Sequence, residues 1–182
     1  MATTPRQWSR SATVLAAIIA IVALVAAAPP ATAGPPDGPV SPGAVQVEID
    51  KHLAAYPGGR QIGPTEISYA GGSFVLTFEP PVGTLASPDC TSGWFCFYDR
   101  INYGYPRGRL SSCGWQDLAS WGWHDRTESV HFNISSGSVS YLNHTSAGHG
   151  GDPYLFSVSA SARTDNDVSP YRNMADHVNR YC

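Results

Sequence analysis

The sequence predicts a mainly β fold: short antiparallel strands forming a sandwich or barrel, preceded by one short helix and a β-hairpin. Three observations predict it. From Cys90 to the C-terminus, short runs rich in aromatic and β-branched residues alternate with glycine, asparagine and proline. The four cysteines, Cys90, Cys96, Cys113 and Cys182, form an even set confined to that region, as a disulfide-stapled small domain requires. Finally, the region repeats itself once.

The elements follow in chain order. Arg6 and Arg10 precede an apolar run from Ala12 to Ala28, and Ala31-Thr32-Ala33 offers small residues for cleavage. Residues 1–33 therefore read as a secretory signal peptide. Its removal leaves 149 of the 182 residues, with 9 basic against 14 acidic side chains, a formal charge of −5. No basic patch for nucleic acid or anionic lipid is visible. A secreted, extracellular chain with no membrane contact after cleavage is expected, and a monomer.

Residues 34–43, "GPPDGPVSPG", have the composition of a disordered linker. Val45, Ile49, His52, Leu53 and Tyr56 then fall near helical spacing until Pro57-Gly58-Gly59 stops the pattern. Glu66–Tyr69 and Ser73–Phe78 read as strands joined across Ala70-Gly71-Gly72. This helix and hairpin, residues 44–84, are expected as a small subdomain whose apolar face needs a partner, because a lone hairpin is marginal. The main domain covers residues 88–182. Its expected strands are "GWFCFYD" (93–99), "GRLSS" (108–112), "TESVHFNI" (127–134), "GSVSYLN" (137–143), "YLFSVSA" (154–160) and "DHVNRY" (176–181).

Three cystine pairings are open. Cys90 with Cys96 and Cys113 with Cys182 is preferred, since the first pair closes a tight turn into a strand and the second ties the chain end to the body.

The repeat aligns Phe97-Tyr98-Asp99 with Tyr141-Leu142-Asn143, Leu110 with Leu155, and "HDRTESV" from His124 with "RNMADHV" from Arg172. An insertion in the loop "HTSAGHGGD" (144–152) accounts for the longer second half. Two four-stranded Greek keys packed face to face would bury the apolar face that neither half can bury alone.

Cys90-Thr-Ser-Gly-Trp-Phe-Cys96-Phe-Tyr98 followed by Asn102-Tyr103-Gly104 resembles the first Greek key of secreted βγ-crystallin-like proteins of actinobacteria. Within that group it resembles peptidase inhibitor family thirty-six, typified by the Streptomyces metalloproteinase inhibitor. The resemblance covers residues 88–182. It implies a non-catalytic, disulfide-stapled β-sandwich that inhibits thermolysin-like metalloproteases, so an extracellular protease is the expected partner and no catalytic residue is expected. Two departures stand out. The crystallin pattern wants glycine where Tyr105 stands, and no cysteine lies between Cys113 and Cys182 to bound a second, inhibitory loop. The remaining short-stapled loop is Cys90–Cys96, where Trp94 and Phe95 supply apolar side chains suited to a thermolysin-like pocket.

Crystallin-like domains also bind calcium through oxygens from two loops. The corresponding residues are Asp125, Glu128 and Ser129 in the first half and Asn173 and Asp176 in the second, with Arg172 standing where a ligand belongs. No other cofactor is implied. Six histidines invite a zinc reading, but there is no His-Glu-x-x-His and no fixed-spacing Cys/His set. His144 and His149 accordingly read as parts of a polar loop. No Gly-x-Ser-x-Gly elbow is present. Of the indoles at Trp115, Trp121 and Trp123, the core is expected to take two and to leave Trp121 exposed for a partner or a sugar ring. Two readings from other classes are a crystallin-like calcium- or cell-wall-binding module without inhibitory action, and an antimicrobial or killer-toxin-like protein.

Overall fold

The computed structural model describes residues 42–80, 87–145 and 149–182. The signal-peptide segment and nearly all of the linker lie outside them. Among the described residues no helix is long and apolar enough to cross a membrane.

Helix α1 spans Pro42–Ala55 and buries Val45, Ile49 and His52. It begins inside the stretch read as linker because proline is favoured at a first helical position, where its missing N–H costs nothing. The strands are β1 (Arg60–Gln61), β2 (Glu66–Tyr69), β3 (Phe74–Thr77), β4 (Trp94–Arg100), β5 (Gly104–Leu110), β6 (Gly114–Asp117), β7 (Ser129–Asn133), β8 (Ser138–Leu142), β9 (Tyr154–Ser159), β10 (Thr164–Asp165) and β11 (His177–Tyr181). They form two antiparallel sheets: seven strands in the order β1-β2-β3-β5-β4-β7-β10, and four in the order β6-β11-β8-β9.

That order records an exchange. In the first half, β4, β5 and β7 stay together while β6 crosses to the other sheet; in the second, β8, β9 and β11 stay together while β10 crosses back. The halves are also tied reciprocally: Asp125 N–H donates to Ala175 O at 3.3 Å, and Asn173 N–H donates to Thr127 O at 3.0 Å. Asp125 and Asn173 share a left-handed backbone, φ 53° and 54°. Glu128 N–H reaches Tyr98 O and Asp176 N–H reaches Leu142 O, the same bond at positions that the repeat aligns.

The hairpin finds its partner in β5, with Thr77 opposite Arg107 and Phe74 opposite Leu110. The sheets enclose one aromatic-rich core. In it Phe97 meets Tyr141 edge-on at 6.5 Å and Trp123 at 5.1 Å, favourable geometries for rings with opposed quadrupoles. Phe97 also covers Gly108 on β5 so closely that an added Cβ there would stand 2.1 Å from its ring.

Strand β4 shows what the Cys90–Gly108 segment does. Phe95 and Phe97 point into the core, while Cys96 and Tyr98 occupy the opposite face and are buried there with Cys90, against Trp94, Tyr103 and Tyr105. Buried on both faces, the strand shows no polar alternation. The outer cluster is organised by Asp89, which accepts from Tyr98 Oη at 2.8 Å and from Tyr105 Oη, and pairs with Arg107 Nη1 at 3.0 Å. Burial, reinforced by the Asp89 carboxylate, pushes both phenols above their ordinary range.

The disulfides are Cys90–Cys96 and Cys113–Cys182, with no free cysteine. The corner after β4 turns through Asn102 and Tyr103 at φ 55° and 61°, three and two positions ahead of Tyr105, where the crystallin pattern has glycine. Ser129 pins it, accepting from Tyr103 N–H at 3.0 Å and donating to Arg100 O at 2.7 Å.

Candidate functional site

At one end of the four-stranded sheet the topology gathers side chains that are far apart in sequence. His177 opens β11 and sits in register with Asp117 on β6 and with Leu142 on β8. Asp176 precedes it. His124 stands in the loop before β7, within reach of Asp176 because the Asp125–Ala175 bond joins the two loops. His144 and Asp152 lie on the β8–β9 connection.

The donor atoms converge. His124 Nε2 is 3.3 Å from Asp176 Oδ1 and 3.9 Å from Asp117 Oδ1, and His177 Nε2 is 3.9 Å from the same Asp117 oxygen. On its other nitrogen, His177 Nδ1 contacts Asp152 Oδ2 in a short hydrogen bond. Asp152 also accepts from Thr145 N–H at 3.2 Å and lies 3.9 Å from His144 Nδ1. Burial works to raise the Asp152 carboxyl, but the bonds from His177 and Thr145 and the neighbouring imidazoles outweigh it and hold the group below the usual carboxylate range. Asp125, at the rim, is pushed upward by burial and by the Asp176 carboxylate.

Asp176 is 4 % exposed and His177 2 %, whereas the His124 side chain is 39 % exposed, so the cluster has a closed floor and an open side. Asp176 Oδ2 accepts from His144 N–H at 2.8 Å, but Asp176 Oδ1 is buried with no hydrogen-bond partner. Trp115 walls the floor, its ring 4.5 Å from that of His177 and 3.5 Å from that of His149. Three overlapping sets could hold a metal: Asp117, His124 and His177; His144, Asp152 and His177; His124, Asp125 and Asp176.

The residues expected to act lie elsewhere or are otherwise engaged. Phe95 is corrected outright as a contact residue: it is 0 % exposed, inside the core. Trp121 is half-buried and stacks on Phe74 at 4.5 Å and 12°, so it is not the free indole expected. Trp94 is half-buried with the Arg109 guanidinium 5.1 Å from its ring. Of the expected calcium ligands, Glu128 already accepts from Asn173 Nδ2 at 2.8 Å and from Ile101 N–H at 3.1 Å. Ser129 is fully buried and spent on the corner. Arg172 pairs with Asp167. Only Asp125 and Asp176 of that set enter the cluster.

Sequence reasoning read His144 and His149 as loop polarity and did not assemble His124, His177, Asp117 and Asp152. The repeat lays His177 on Ser129 and His124 on Arg172, but the meeting of the two loops comes from backbone bonds that the alignment does not express. No family model matches the chain, and neither does a curated protein or a solved structure.

Proposed function

We propose that the mature chain is a secreted, non-catalytic inhibitor of thermolysin-like metalloproteases, carried on a βγ-crystallin-type pair of Greek keys. The exchange of β6 and β10 between sheets supports the scaffold, because each sheet then holds three strands of one half and the third strand of the other. Two disulfides without a free thiol support an oxidising, extracellular setting.

The observation that carries the contact surface is the stapled turn at Cys90–Cys96. Thr91, Ser92 and Gly93 are exposed, while the ends are held by the disulfide, by Asn133 Nδ2 on Cys90 O at 2.7 Å, by Gly93 N–H on Asn133 O at 2.8 Å and by Cys90 N–H on His131 Nδ1 at 3.2 Å. A turn ordered in advance loses little entropy on docking. Trp94, half-buried beside Arg109, is the apolar side chain that adjoins the turn; Phe95 serves the core. The test is titration of thermolysin with residues 34–182: stoichiometric loss of activity is expected, and Trp94→Ala should weaken it at least tenfold. Full protease activity at a large molar excess would end the inhibitor reading, and undiminished inhibition by Trp94→Ala would move the contact elsewhere.

A second reading, a cation-binding crystallin-like module without inhibitory action, is favoured by the histidine–aspartate cluster.

A further inference from the structure

We propose that Asp117, His124 and His177 form the core of a binding site for one divalent cation of the zinc class, with Asp176 adjoining at His124 and Asp152 as the residue that orients His177. The inference stands apart from the inhibitor reading, since it uses no atom of the stapled turn.

The donor chemistry selects the ion. Two imidazole nitrogens and a carboxylate, with a second carboxylate adjoining at His124, suit zinc, nickel or copper, whereas calcium needs six to eight oxygens. The ligand atoms of Asp117, His124 and His177 already lie within 4.8 Å of one another. Around a tetrahedral zinc bonded at about 2.0–2.1 Å, donor atoms stand about 3.3 Å apart. His124 Nε2 and Asp176 Oδ1 are at that separation now, 3.3 Å, and the two contacts of Asp117 Oδ1 at 3.9 Å need shortening by roughly half an ångström. His124 lies on a loop with a partly exposed side chain, so it can adjust without disturbing the floor.

Two independent features point the same way. Asp176 Oδ1 is a buried carboxylate oxygen with no hydrogen-bond partner, aimed at His124. An orphan of this kind is costly unless something fills its coordination. The Asp152–His177 contact is the other. A carboxylate on Nδ1 fixes the imidazole tautomer and leaves the Nε2 lone pair free, and here that lone pair is the one facing Asp117. Trp115 adds an apolar wall that limits water at the ligands. At the place of His177 the first half carries Ser129, committed to the backbone, so the repeat does not duplicate the site, which draws Asp117 and His124 from one half and Asp176 and His177 from the other.

The experiment is calorimetric titration of untagged, oxidised residues 34–182 with zinc chloride in chelator-free buffer near neutral pH, with thermal melts alongside. One equivalent is expected, with a Tm rise of roughly 5–10 °C at a hundredfold excess over Kd. His124→Ala, on the open loop, should bind at least tenfold more weakly while keeping the metal-free Tm within about 2 °C. His177→Ser should abolish binding, and if it fails to fold, the His124→Ala comparison decides. Absence of heat and of a Tm shift would overturn the proposal. So would unchanged affinity in folded His124→Ala, or a calcium titration producing the same shift.

Discussion

Removing the long disulfide by Cys113→Ser with Cys182→Ser tests how this β scaffold is kept together. The bond closes a ring with a sequence separation of 69, against 6 for Cys90–Cys96. On the loop-entropy relation the long ring stabilises by about 4 kcal/mol and the short one by about 2 kcal/mol. Cys113 and Cys182 are exposed, so serine leaves no cavity and the loss reports chain entropy with little packing contribution. Cys90 and Cys96 are 5 % and 0 % exposed, and removing them would mix the two effects. Urea unfolding of residues 34–182 should lose about 4 kcal/mol, with Tm down by roughly 8–16 °C. The m-value should rise, because an uncrosslinked unfolded chain exposes more surface. A loss below about 1 kcal/mol with an unchanged m-value would refute the reasoning, since the staple would then not be restricting the unfolded chain.

Two further outcomes follow from the geometry. Trp121→Ala removes an indole stacked on Phe74 and should cost about 2 kcal/mol in chemical denaturation; an unchanged midpoint would mean the stack contributes nothing. Burial holds His52 and His131 below the usual imidazole range, with nearby arginines adding to the effect and Asp89 partly opposing it at His131. Because the unfolded chain then takes up protons first, the stability these neutral rings provide is complete above about pH 6.5 and drains away as pH falls below it. His131 Nδ1 accepts the Cys90 N–H, a bond that protonation forbids. His131→Gln should therefore flatten the fall in urea midpoint between pH 6.5 and 5.5, and a slope equal to the parent's would exclude His131 as its source.

The helix, the hairpin and five of the strands were legible because the helix keeps its period and short aromatic and β-branched runs are punctuated by glycine, asparagine or proline; of β5, Gly104–Leu110, only residues 108–110 were. Strand β6 was not, since Gly114–Asp117 is half-buried throughout and lies in a tryptophan-rich stretch without alternation. β10 has only two residues. The partition into sheets escaped reading because the partner of β6 is β11, whose first residue lies 60 positions after Asp117, and local pattern carries no information on such pairing. The cluster escaped for the same reason: His124 meets Asp176 through bonds between two loops, which no spacing motif expresses. Phe95 and Trp121 were misplaced because a strand buried on both faces and a tryptophan stacked on the hairpin both read, locally, as surplus aromatic surface.

The hairpin's position on β5 has a colloidal consequence. A long unpaired border on a β layer invites other molecules to extend it. Here the seven-stranded sheet ends on both sides in strands of two residues, Arg60–Gln61 and Thr164–Asp165, each carrying a charged side chain. The N-terminal helix and hairpin thus replace a seven-residue margin at Gly104–Leu110 with one too short to template a neighbour.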